Sequence, residues 1–139
     1  MKQIVIAAIT ALSFLSCKKN ATPVERLNEN ADTSTAMAKA IGSFINGPYG
    51  STSGKATVFN TNGVYTLQLE NMSVSNGPDL HVYLSKEQQP LNFIDLGKLK
   101  STMGNQLYPV TGMPDLTQYK FALVHCQQYN HLFGSAVLQ

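Results

Sequence analysis

From residue 41 to the end of the chain, apolar residues come in short runs that alternate with polar ones, and Gly, Pro and Asn separate the runs. A period of two marks β-strands, because successive side chains point to opposite faces. Ile41-Gly42-Ser43-Phe44-Ile45 predicts a first strand, and Gly47-Pro48-Tyr49-Gly50 with residues 51–54 predicts a loop. Residues 55–60 and 64–72 flank Thr61-Asn62-Gly63, a hairpin signal, since Asn-Gly tolerates the positive φ of a tight turn. In the second arm Tyr65, Leu67 and Leu69 alternate with Thr66, Gln68 and Glu70, which predicts one wet face. Asn76-Gly77-Pro78-Asp79 is a turn by its chemistry. Leu80, Val82 and Leu84, alternating with His81 and Tyr83, predict a half-buried strand after it.

Residues 93–99 and 106–110 predict two more strands, with a turn at Gly112-Met113-Pro114-Asp115. The run over 119–128 places Phe121, Leu123 and His125 on one face and Ala122, Val124 and Cys126 on the other. Apolar side chains on both faces predict a central strand. Residues 127–130 turn into a last strand, in which Phe133 and Val137 are expected to oppose Leu132 and Leu138. The expected fold class is all-β, an antiparallel β-sandwich or flattened barrel of about eight short strands.

The first forty residues have a different texture. Lys2 precedes an apolar stretch over residues 4–15, the form of an export signal. That stretch is shorter than the roughly 20 residues a membrane-spanning helix needs. Phe14-Leu15-Ser16-Cys17 resembles the lipobox of bacterial lipoproteins, although Phe14 stands where Leu is usual. The resemblance implies cleavage before Cys17 and acylation of that cysteine, which becomes the first residue of the mature chain. A plain secretory signal with an incidental cysteine is the alternative. Residues 20–39 are polar, rich in Asn, Thr, Ala and Glu, and read as a flexible tether with at most a helical turn over 35–40. The expected division is a lipoprotein signal peptide over 1–16, a lipidated cysteine and polar tether over 17–39, and a β domain over 40–139. Lys18-Lys19 resembles the retention pattern of lipoproteins released from the inner membrane. It implies a protein of the bacterial cell envelope, anchored by lipid in the outer membrane.

Composition narrows the function classes. Hydrophobic residues make up 43% of the chain and charged residues 13%, with a formal charge of +2, so no basic surface is present to hold nucleic acid. There are two cysteines, and acylation of Cys17 would leave Cys126 without a partner in the chain. No nucleophile elbow, phosphate loop, Cys-x-x-Cys pair or Cys-x-x-Cys-His motif is present, so classical hydrolysis and covalent haem attachment lose their usual signatures. Cys126 reads either as core filling or as a reactive thiol. His81 reads as a solvent-facing strand residue or a ligand, and Asp79 as a turn cap rather than a calcium ligand. His125, a neighbour on the same strand, points away from Cys126, so a base for the thiol would have to come from His81 or His131.

The ordered set Gly77-Pro78-Asp79-Leu80-His81-Val82-Tyr83-Leu84-Ser85, Leu96-Gly97-Lys98-Leu99-Lys100, Gly104-Asn105-Gln106 with Tyr108, Asp115-Leu116 with Tyr119, and Phe133-Gly134-Ser135-Ala136 resembles the DM-thirteen domain. This Skeletor-type family carries the label of an electron-transfer domain. The resemblance implies that Cys126 is the family's redox cysteine, acting as a bare thiol or by holding a prosthetic group such as haem. His81 and His131 are then the candidate additional cofactor ligands. His125 stands where the family commonly has Trp, and Tyr129 where it favours Phe. The expected function is an envelope-anchored redox or electron-transfer module with a redox or protein partner. The alternative is a binding module for a ligand or another envelope protein, in which Cys126 is structural.

Overall fold

The computed structural model describes residues 21–139; the expected signal peptide and Cys17 lie outside the described residues. Among the described residues nine strands follow in order: β1 Leu27–Asn28, β2 Met37–Asn46, β3 Thr52–Thr61, β4 Val64–Val74, β5 Leu80–Ser85, β6 Phe93–Lys98, β7 Met103–Val110, β8 Phe121–Cys126 and β9 His131–Val137. They form one curled sheet in the order β1-β7-β4-β3-β2-β9-β8-β5-β6, antiparallel except for the β1/β7 pair. The all-β expectation holds, with one strand more than the expected eight and a mixed rather than purely antiparallel sheet.

The curl is made by β2. Its first part, Met37 to Ser43, pairs with β3, and its last part, Phe44 to Asn46, pairs with β9. The two halves of the sheet thereby face each other across one core. Leu67, Leu69 and Val58 from one half meet Leu80, Val82, Val124 and Ala136 from the other, all essentially solvent-free. Each such buried aliphatic side chain stabilises the fold by roughly 1.5–3 kcal/mol. At the corner Gly42 lets backbones approach, because a Cβ there would lie 2.1 Å from the Val137 carbonyl oxygen.

The Asn-Gly hairpin forms as expected. Thr61 pairs with Val64 around Asn62 (φ 51°) and Gly63 (φ 84°), so both central residues have the positive φ of a two-residue turn. Strand β8 is central as expected: Ala122, Val124 and Cys126 enter the main core, while Leu123 joins Tyr83 and Leu132 in a second cluster on the other face.

Several expectations are corrected. The described part of the tether is packed, because its polar groups complete the hydrogen bonds of a sheet edge. β1 pairs parallel with β7, the Thr102 amide donates to the Pro23 carbonyl oxygen at 2.8 Å, and Glu29 accepts from the Leu107 amide and Lys100. Those two donors hold the Glu29 carboxyl below its ordinary value, the backbone amide most. The same arm covers β4, so Gln68 is buried and accepts from the Ala31 amide at 2.7 Å instead of facing water. The helical turn over 35–40 is absent: Asp32 caps a turn, and Met37 already starts β2. Residues 52–54, expected in a loop, belong to β3. Strand β5 is buried on both faces rather than one. Phe133 and Val137 do not share a face: Phe133 and Leu138 lie in the core and Val137 is exposed, since a register shift between Val124 and His125 displaces the alternation.

Candidate functional site

Cys126 ends β8 opposite Leu80 on β5 and His131 on β9. It is 1% exposed, and it is a free cysteine. Its thiol donates to the carbonyl oxygen of Pro78 at 2.9 Å. The Pro78 carbonyl is an acceptor in the turn, and the thiol supplies it with a donor. The turn is clamped a second time by the Gln127 amide, which donates to the Asp79 carbonyl oxygen at 3.1 Å. Asp79 itself has φ 55°, a costly conformation for a residue with a Cβ, and its neighbours hold it there.

The other face of the same strands carries a polar and aromatic cluster. His81 is 8% exposed, not solvent-facing as expected, because Asp79 and Asp95 flank it. Its Nδ1 lies 3.0 Å from Asp95 Oδ2 and its Nε2 lies 3.2 Å from Asp79 Oδ1. Both ring nitrogens are thereby engaged by carboxylate oxygens. Gln127 Nε2 donates to the Tyr83 hydroxyl oxygen at 3.1 Å and to Asp95 Oδ2 at 3.3 Å. The Tyr83 ring stacks on Phe93 with centroids 4.2 Å apart and lies 5.4 Å from the His125 ring. Burial raises the Tyr83 hydroxyl above its ordinary pKa.

His125 sits in this cluster at 3% exposure, and neither ring nitrogen finds a partner in hydrogen-bonding geometry. Burial pushes its imidazole below the ordinary value, with nearby Asn130 opposing, so the neutral ring is favoured. The contrast with Gln106 is instructive. That side chain is also buried, yet it bonds the Ser101 amide, the Ser101 carbonyl and the Tyr108 hydroxyl, a fully satisfied structural network.

The candidate ligands therefore lie at one end of the β5–β8–β9 ladder but do not converge. Cys126 is enclosed in the core with its thiol engaged by Pro78, and His81 on the other face has both nitrogens against carboxylates. The His131 ring stacks flat on Tyr49 with centroids 3.7 Å apart. A haem needs an axial ligand facing a slot as wide as the macrocycle. The residues as arranged do not fit one, and among the described residues no group of three or more His, Cys, Asp and Glu is placed to hold a metal ion. Sequence reasoning missed Asp95, Tyr83, Gln127 and the Pro78 carbonyl. The spacing of Asp79 and His81, two apart on a strand and so on one face, was a readable signal. Asp95 was not, since it depends on the β5/β6 register.

No curated protein and no solved structure matches the chain. Residues 43–138 match the family described as Electron transfer DM13, a segment that holds both the Gly77-Pro78-Asp79 turn and Cys126. The chain belongs to the electron-transfer DM13 family.

Proposed function

We propose that this chain is a lipid-anchored module of the bacterial envelope that passes electrons through Cys126. The observation that carries the reading is the position of that thiol: the free cysteine of the DM13 segment is held by a hydrogen bond to the Gly77-Pro78-Asp79 turn rather than merely packed. The partner class is a protein disulfide. The Cys126 thiolate attacks one sulfur, a mixed disulfide forms, the partner's second sulfur leaves as a thiolate, and the Cys126 proton goes to solvent. A donor dithiol completes the transfer: one donor thiolate attacks the Cys126 sulfur and releases the reduced partner, then the donor's second thiolate closes the donor disulfide and frees Cys126, so the electron pair passes from donor dithiol to partner disulfide. The export stretch and Cys17 support the anchor, and Lys18-Lys19 the outer-membrane placement.

A second reading has its own observation. At 1% exposure Cys126 is as buried as the aliphatic core around it, which favours a binding module with a structural cysteine. An absorption spectrum of the purified protein, then thiol titration before and after denaturation, separates the two. The redox reading expects a colourless protein whose thiol is titrated in the folded state and is blocked reversibly by mild peroxide. A thiol that reacts only after unfolding overturns it.

A further inference from the structure

Two layers close over Cys126. The inner layer is the Gly77-Pro78-Asp79 turn, whose Pro78 carbonyl oxygen takes the thiol hydrogen. The outer layer is the first described segment of the chain. Ala21 forms an antiparallel bridge with Pro78 itself. The Thr22 amide donates to Asn76 Oδ1 at 3.2 Å, and Asn76 Nδ2 donates back to the Thr22 carbonyl oxygen at 3.0 Å. Thr22 is buried, while Ala21 and Pro23 on either side are exposed.

This outer segment is poorly packed against what it covers. A cavity of about 210 Å³ lies between it and Asp79, Leu80 and Leu99. A shallow open recess is lined by Ala21 with Asn76, Gly77 and Pro78. Ala21 thus borders open space, so the Thr22–Asn76 hydrogen bonds and the buried threonine do most of the holding. From Pro23 onward the arm is tied down, by the Thr102 amide donating to the Pro23 carbonyl oxygen at 2.8 Å, by β1 and by the Glu29–Lys100 ion pair at 2.7 Å, and Val24 is 63% exposed. The turn beneath is held from inside by Gln127, His81 and the Cys126 thiol, and from outside by the Ala21 bridge to Pro78.

We infer that Ala21 and Thr22 are a strap whose release, with the rest of the fold intact, uncovers the Cys126 thiol. Segments with few buried contacts open locally at lower free energy than the core unfolds. Lifting the strap removes the outer support of Pro78, and the positive φ of Asp79 gives the turn a conformation to relax from. This concerns access alone and extends the redox reading without depending on it.

The test uses the full chain carrying Cys17→Ser, which leaves Cys126 as the only thiol. The rate of Cys126 modification by dithiobis-nitrobenzoate is measured under native conditions, together with the denaturation midpoint. Asn76→Ala and Thr22→Pro each remove strap hydrogen bonds; Gly63→Val lowers stability at the distant hairpin. The strap variants should label about tenfold faster or more, out of proportion to any midpoint change, while Gly63→Val labels near the parent rate. Strap variants labelling at the parent rate would overturn the inference, as would rates that follow the midpoint in all variants. A strap that opens onto a thiol no disulfide oxidises would leave the inference standing and remove the redox reading. Equal oxidation with and without an intact strap would do the reverse.

Discussion

The Cys126 thiol and the Pro78 carbonyl oxygen are 2.9 Å apart although 48 residues separate them in sequence. The bond joins the two most distinctive stretches of the chain, the Gly-Pro-Asp turn and the cysteine strand, into one unit. It also gives the cysteine a partner that an alanine could not replace. Cys126→Ala should therefore cost about 1–3 kcal/mol by leaving the part-buried Pro78 carbonyl without its donor. Cys126→Ser, which keeps a donor, should cost less in urea denaturation. Equal losses would mean that only volume matters at this position.

The turn at Asn62 and Gly63 isolates backbone strain from packing. Among the described residues the only neighbour within 4 Å of a Cβ at Gly63 is the Met113 sulfur at 4.0 Å, so a larger side chain there meets an open surface. With φ at 84°, Gly63→Val should still destabilise by about 1–3 kcal/mol. An unchanged denaturation midpoint would contradict the two-residue turn.

His81 holds two carboxylates of different strands, Asp79 before β5 and Asp95 in β6. His81→Ala removes the shared donor and leaves both acidic groups facing each other, an expected loss of about 1–3 kcal/mol. Amide exchange should rise at Gly97, whose amide donates to Asp95 Oδ1. Full retention of stability would mean that the clamp is incidental.

His125 is the buried group with the least to hold it. Its folded-state pKa is depressed, so the unfolded chain binds the extra proton more readily. Its contribution to stability is intact above the ordinary value of 6.5 and is lost as the pH falls through that value toward the depressed one. His125→Phe should raise stability at neutral pH by about 1 kcal/mol, because no buried polar atom is left unsatisfied, and should flatten the acid side of the stability curve. An unchanged acid slope would place the titration on other groups.

Much of the fold was legible because a period of two survives wherever a strand is regular. Val58, Leu67, Leu69 and Val124 could be assigned to the core from alternation alone. The N-terminal arm was not legible: its polar residues have no period, and its order comes from edge groups of β7 and β4 that only the folded sheet presents. The site was half legible. Cys126, Asp79 and His81 stood out as residue types, but the face each occupies depends on pairings between distant strands. Leu80↔Cys126 and His81↔His125 put the thiol and the imidazoles on opposite sides of the same ladder.

The central claim is that Cys126 exchanges electrons while the protein stays folded. The most direct measurement is mass spectrometry of the folded Cys17→Ser chain after a brief treatment with dilute peroxide in the presence of dimedone, which traps sulfenic acid. The account predicts one adduct, on Cys126, formed under native conditions and prevented by prior treatment with a small disulfide that a thiol reductant then removes. No adduct in the folded protein, with full reaction of Cys126 once it is unfolded, would contradict it.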